Sequence, residues 1–231
     1  MAVTQAQALS EIRIRLGETS ATNSAWTDVE IRGWINEAVR DIARRTESVQ
    51  GTTTVAYAAG DQEKTLAANI LRVHRAEWQT TGDTSIYPLE YRDFQNMDAV
   101  WWTQQAVTQS TPSLFTLWGY PPALKVVLYP KPYAAGTLKL YFYQLPADLA
   151  TDGTAGSTPL VVPEGWVDLV YEYVAYLAQR RDRDPRWQES KAEYVEKIED
   201  MIAQTRRWTD QGGVITPQGA VLPGWLVNGY G

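Results

Sequence analysis

Few side chains in this chain could carry out acid–base, nucleophilic or metal chemistry. Its 231 residues include one histidine, His74, and no cysteine, which excludes a thiolate nucleophile and a cysteine-ligated metal. His74 lies in RVHRAEW, a run typical of a β-strand, with no second histidine beside it. Because a catalytic or metal site needs several converging groups, the sequence predicts no catalytic residue, no metal ligand and no cofactor.

One pair of carboxylates, Asp182 and Asp184 in QRRDRDPR, deserves comparison with a hydrolase. A glycosidase needs two carboxylates that converge from separate elements, whereas these two share one arginine-rich turn, which favours local ion pairing. The loop DGTAG at 152–156 lacks the lysine and the strand-to-helix context of a phosphate loop. We therefore predict that the protein is not an enzyme.

Helices are predicted at both ends of the chain. Thr4 with Gln7, and Thr27 with Glu30, have the spacing of capping boxes, and apolar residues recur three and four positions apart after the second box. Asp184 followed by Pro185 marks another helix start. The predicted helices cover residues 4–17, 27–46, 163–182 and 185–207.

In the middle of the chain, the pattern of apolar residues is that of β-strands, with a period of about two residues. Runs of β-branched and aromatic residues are separated by glycine, proline and aspartate. In TLKLYFYQ at 137–144 apolar residues alternate with lysine and tyrosine, which is typical of an antiparallel sheet with one buried face.

The sequence thus predicts an α+β fold. In it, the N- and C-terminal helical pairs form a four-helix bundle, with an inserted antiparallel β-domain and an extended C-terminal arm. The predicted segments are the first helical pair (1–51), the β-rich domain (52–145), a linker (146–162), the second helical pair (163–207) and the arm (208–231).

Charge and composition narrow the functional classes. The net charge is -6, with 27 acidic and 21 basic residues, which disfavours a protein that grips nucleic acid through a basic surface. No apolar run is long enough to span a membrane, and the N-terminal residues lack the apolar core of a signal peptide, so we expect a soluble protein made in a cytoplasm. Ten tryptophans and thirteen tyrosines favour protein interfaces, although sugar-binding proteins share this richness.

Two surfaces are candidates for docking. The C-terminal segment WTDQGGVITPQGAVLPGWLVNGYG has one charged residue and is too broken by glycine and proline for a helix. We interpret it as an arm that binds a groove on a partner. Its predicted anchors are Trp208, Val221, Leu222, Trp225, Leu226 and Tyr230. Arg40, Arg44 and Arg45 of the second helix form either a solvated face or a docking face for a neighbouring subunit.

Three stretches of the chain carry a resemblance to a known family. They are WTDVEIRGWINEAVRDIARRT, then LKVVLYPKP with TLKLYFYQLPADL, and VPEGWVDLVYEYVAYLAQRRDRDPRWQESKAEYVEKIE. In this order they resemble the head-to-tail adaptor proteins of tailed bacteriophages, also called connector or head completion proteins. The resemblance covers nearly the whole chain and consists of packing patterns rather than a chemical signature.

The resemblance implies a structural role in the virion. It implies a dodecameric ring below the portal that extends the DNA channel and offers a platform to a tail protein, either a nozzle or a tail-tube protein. It also implies that the arm reaches into the portal and that DNA passes without specific binding. Two other hypotheses are a non-catalytic carbohydrate-binding tail component, favoured by the aromatic content, and an assembly chaperone.

Overall fold

A computed structural model describes residues 2–18, 25–94 and 109–211. The helices are α1 (Gln5–Arg15), α2 (Asp28–Thr46), α3 (Asp168–Arg181) and α4 (Trp187–Gln211), and a 3-10 helix at Glu164–Trp166 precedes α3. The strands are β1 (Gln50–Tyr57), β2 (Glu63–Thr65), β3 (Ile70–Thr80), β4 (Tyr87–Tyr91), β5 (Gln109–Ser110), β6 (Leu114–Trp118), β7 (Lys125–Tyr129), β8 (Lys131–Pro132) and β9 (Gly136–Gln144). One compact unit contains the helices, from Met1–Val49 and Leu145–Trp208, and a second contains the strands, from Gln50–Gln144.

Both predicted capping boxes at the start of the helical unit are confirmed. The backbone N–H of Gln7 donates to Thr4 Oγ1 at 3.3 Å, and the N–H of Thr4 donates to Gln7 Oε1 at 2.9 Å. Thr27 and Glu30 exchange the same two bonds at the start of α2. Because these bonds satisfy N–H groups that a helix leaves unpaired, they set where α1 and α2 begin.

The core of the helical unit is built mainly on α2. This helix packs along α3, and α1 contacts both of them. The helix α4 adds Tyr194, Ile198 and Met201 to the same core. Trp34, in the apolar stripe of α2, is only partly buried and packs edge-on against Trp26, with 5.3 Å between ring centroids. The fully buried aliphatic side chains of the core include Ile12, Ile31, Ile35, Ile42 and Leu169.

The strand unit contains a seven-stranded sheet in the order β1-β9-β3-β4-β6-β7-β2 and a separate β5-β8 pair. The long sheet is nearly closed and barrel-like, and the hydroxyl of Tyr57 in β1 donates to the carbonyl of Val126 in β7 at 3.3 Å. The alternation predicted for β9 is confirmed, because Leu138, Leu140 and Phe142 are buried. These side chains form a core of their own with those of the other strands.

The predicted four-helix bundle with an inserted antiparallel β-domain is wrong. The sheet is not antiparallel throughout, since β4 pairs with β6, and β5 with β8, in parallel. The one buried face of the sheet is covered by the sheet itself, because the strands curl into a nearly closed sheet that encloses its own apolar side chains. Alternation along a strand predicts one buried face but does not say what covers it.

Candidate docking surface

The structure places the three predicted docking arginines on the exposed side of α2. Arg40, Arg44 and Arg45 are all exposed. Nε of Arg40 lies 3.2 Å from Oδ1 of Asp148, and Nε of Arg45 donates to Oδ2 of Asp41 at 2.8 Å. Arg44 forms no ion pair or side-chain hydrogen bond with the described part of the chain. Arg44 is therefore the arginine of this face whose guanidinium is most available to a partner.

Two tyrosine hydroxyls attach the neighbouring helices to this side of α2. Tyr194 of α4 donates to Oδ2 of Asp41 at 2.6 Å, and Tyr173 of α3 donates to Oε1 of Glu37 at 2.9 Å. The two tyrosine rings meet edge to face, with 5.1 Å between centroids. Burial, and then the hydrogen bond to the carboxylate, raises the pKa of both tyrosines above its ordinary value. Both hydroxyls therefore stay protonated and act as donors at neutral pH.

We expect Tyr194→Phe to lower the free energy of unfolding by about 1–2 kcal/mol, because it removes a buried donor from a charged acceptor. Urea unfolding followed by far-ultraviolet circular dichroism measures the loss. Tyr176→Phe is the matched control, since the hydroxyl of Tyr176 accepts from the exposed Arg180 at 3.1 Å and its removal should cost less than about 0.5 kcal/mol. Equal losses in the two variants would show that the bond to Asp41 does not stabilise the fold.

The sequence analysis missed a set of side chains that bind the predicted linker. The amide of Asn36 makes two bonds with the backbone of Leu149: its Nδ2 donates to the carbonyl at 2.7 Å and its Oδ1 accepts from the N–H at 3.1 Å. Gln5 donates to the carbonyl of Ala150 at 3.2 Å, and Arg32 donates to that of Thr151 at 3.2 Å. The available signal was a polar residue, Asn36, next to apolar residues on the core side of α2.

The side chains that could take part in catalysis do not come together in a reactive site within the described ranges. His74 is exposed, and its ring lies beside Tyr143 with 5.0 Å between centroids. Asp184 binds the guanidinium of Arg186, with Oδ2 accepting from Nε at 2.9 Å, and these hydrogen bonds lower the pKa of Asp184. A lowered pKa is the opposite of what a general acid requires.

A depression on the helical unit has its charged side chains already paired with one another. It has a volume of about 420 Å³ and is lined by α1 and α3. Its cation, Arg15, pairs with Glu172 at 2.9 Å and with Asp168 at 3.2 Å, and its guanidinium lies 4.7 Å from the ring centroid of Tyr171. Among the described residues, no three or more histidine, cysteine or acidic side chains are grouped so that they could hold a metal ion.

The predicted arm anchors are largely beyond the described residues. The backbone of Trp208 belongs to α4, while its side chain and the anchors Val221, Leu222, Trp225, Leu226 and Tyr230 lie outside the described part. Within the described ranges, no helix combines the length and the apolar character needed to cross a membrane.

A family model described as SU10 adaptor protein matches residues 3–218 of this chain. No curated protein matches the chain.

Proposed function

Because the chain belongs to the SU10 adaptor protein family, a family of phage head-to-tail adaptors, we propose that it forms a ring below the portal of a tailed phage. Family membership makes it a structural component of the virion that associates with other head and tail components. The observation that carries the proposal is the extent of the match, which runs from residue 3 to residue 218.

In this proposal the ring is dodecameric, extends the DNA channel and gives the tail nozzle or tail-tube protein its attachment platform. The chain is acidic overall, with 27 acidic against 21 basic residues, and an acidic or neutral lumen lets DNA slide without holding its phosphates. On the arginine face of α2, Arg40 and Arg45 are paired with Asp148 and Asp41, which leaves little charge for binding a polyanion. The protein acts by contact and not by catalysis.

The portal contact is assigned to the arm at 208–231. The segment 212–231 contains no charged residue, and its large apolar side chains, Trp225 and Leu226 among them, are suited to fill pockets in a groove. A portal ring offers one such groove per subunit, so each adaptor copy would donate one arm. The face of α2 that bears Arg40, Arg44 and Arg45 then contacts the neighbouring adaptor subunit or the portal.

Electron microscopy of the purified protein mixed with its portal tests the proposal. We expect a ring with an axial hole, coaxial with the portal. The protein alone and the portal alone serve as controls for rings that do not depend on the complex. A protein that leaves the portal unchanged but co-sediments with a polysaccharide would contradict the adaptor ring and support a carbohydrate-binding tail component. Release of the protein from finished particles would instead support a chaperone.

A further inference from the structure

The outer face of strands β1, β9 and β3 is rich in cations and tyrosines. Lys139, Tyr141 and Tyr143 alternate with the buried side chains of β9, so they lie on the outer face of the sheet. Arg75 and Arg72 of β3 are exposed and stand opposite Tyr141 and Tyr143. On the other side of β9, strand β1 contains no charged residue. We call these five residues of β9 and β3 the cationic sheet face.

The acidic residue of these three strands, Glu77, is already bound. It is 8% exposed, pairs with Arg75 and accepts from the hydroxyl of Tyr141 at 2.9 Å. Nζ of Lys139 lies 4.9 Å from the ring centroid of Tyr141, and Lys139 forms no ion pair with the described part of the chain. With three cations and one carboxylate, this region is positive in a protein whose net charge is -6.

The segments outside the described ranges lack the charge to complement this face. Residues 95–108 and 212–231 together contain one charged side chain, Asp98. One carboxylate cannot balance three cations, so the cationic sheet face requires an acidic partner surface.

Helix α4 carries a surface of the opposite charge. The side of this helix that enters the core bears Tyr194, Ile198 and Met201. Its exposed side bears four carboxylates at spacings of four, three and four residues, which place them on one stripe. None of the four forms an ion pair or a side-chain hydrogen bond with the described part of the chain, so they repel one another without compensation. This acidic stripe consists of Glu189, Glu193, Glu196 and Asp200.

The two surfaces also match in length. Lys139 and Tyr143, which stands opposite Arg72, are four residues apart on β9, or about 13 Å along a strand. Glu189 and Asp200 are eleven residues apart on α4, or about 16 Å along a helix. A helix that lies along β9 can therefore set carboxylates against the whole row of cations.

The proposed ring identifies the acidic partner as a second copy of the chain. The inference rests on that proposed function, because a closed ring is built from head-to-tail contacts, in which each copy offers two different surfaces to its two neighbours. The cationic sheet face and the acidic stripe are two such surfaces of opposite charge. We propose that the cationic sheet face of each copy binds the acidic stripe of a neighbouring copy in the ring.

Charge reversal tests this contact by electron microscopy of the protein assembled with its portal. The sheet variant is Arg72→Glu with Lys139→Glu, and the helix variant is Glu193→Lys with Glu196→Lys. Each variant alone sets like charges against each other at every contact, so we expect at least ~10-fold fewer rings than for the natural protein. All four positions are exposed, and circular dichroism should show an unchanged fold.

Mixing the two variants identifies the partner of each surface. In a ring that alternates them, the reversed sheet face meets the reversed stripe and the natural sheet face meets the natural stripe, so opposite charges meet at every contact. We expect an equimolar mixture to restore rings that contain equal amounts of both variants. The matched control is Lys64→Glu with Arg92→Glu, which changes the net charge as the sheet variant does but lies outside the cationic sheet face and should assemble like the natural protein.

The results distinguish this contact from the ring itself. Rings of the natural protein together with undiminished rings of both variants overturn the inference and leave the proposed function standing. Rings that each variant loses and the mixture does not restore show that the two surfaces bind other partners, such as the portal, and also overturn the inference. A natural protein that forms no ring with the portal contradicts the proposed function and the inference with it.

Discussion

Deletion of residues 208–231 is expected to abolish binding to the portal. The arm holds several large apolar side chains and one charged residue, and each such side chain that a groove fully buries contributes roughly 1.5–3 kcal/mol. Losing even two anchors therefore weakens binding by at least ~100-fold. Sedimentation of the truncated protein with purified portal measures the loss. Because the core of the helical unit lies in residues before 208, its melting temperature should change little.

Full-length variants distinguish the effect of the apolar anchors on portal binding from the effect of shortening the arm. Trp225→Ser with Leu226→Ser should reproduce the loss, while Gln218→Ser with Asn228→Ser, which changes only polar residues of the same segment, should bind like the natural protein. If the truncated protein keeps full affinity, the arm is not the portal contact. Arg44→Glu would then show whether the arginine face of α2 binds the portal, with Lys191→Glu on the exposed side of α4 as its control.

Replacing Trp78 by alanine is expected to cost about 3–5 kcal/mol of unfolding free energy. Trp78 is 1% exposed, its Nε1 donates to Oγ1 of Thr80 at 3.0 Å, and Tyr57 packs edge-on against it with 5.9 Å between ring centroids. Its ring lies so close to Gly136 that a Cβ at that position would overlap it. Neighbours packed this tightly cannot collapse into the space that the indole leaves.

Chemical unfolding followed by circular dichroism measures this loss, since removing a tryptophan also changes the fluorescence signal. Trp118→Ala in the same sheet is the control, because Trp118 is 49% exposed and its removal should cost less than about 1 kcal/mol. A loss for Trp78→Ala as small as that of the control would mean that Trp78 does not lie in the core of the strand unit.

Local signals in the sequence predicted the helices and the faces of the strands. Thr27 and Glu30 are three residues apart, and the bonds between them form within that turn, so the start of α2 depends on nothing distant. The alternation of Leu138, Leu140 and Phe142 likewise records which face is buried. Helix starts and buried strand faces depend on residues close together in the sequence, and the sequence pattern can therefore predict them.

Contacts between residues far apart in the sequence could not be predicted from such local patterns. The parallel pairing of β4 with β6 joins Glu90 to Leu114, two residues that lie far apart in the sequence. The bonds of Asn36 reach Leu149, 113 residues along the chain. For the docking surface, the sequence placed Arg40, Arg44 and Arg45 on one face but could not show that Asp148 and Asp41 pair with two of them, because ion-pair geometry depends on how the elements pack.

Hydrogen bonds to the backbone of the predicted linker should slow its amide exchange and its proteolysis, although the segment is irregular. The N–H of Leu149 is bonded to Asn36, that of Leu160 is bonded to the carbonyl of Val3 at 2.9 Å, and the carbonyl of Thr158 accepts from Gln5 at 3.0 Å. Amide hydrogens held in this way exchange with solvent only when the surrounding structure opens. Proteases also need several residues of freely extended chain, so segment 146–162 should resist nicking although it contains no helix or strand.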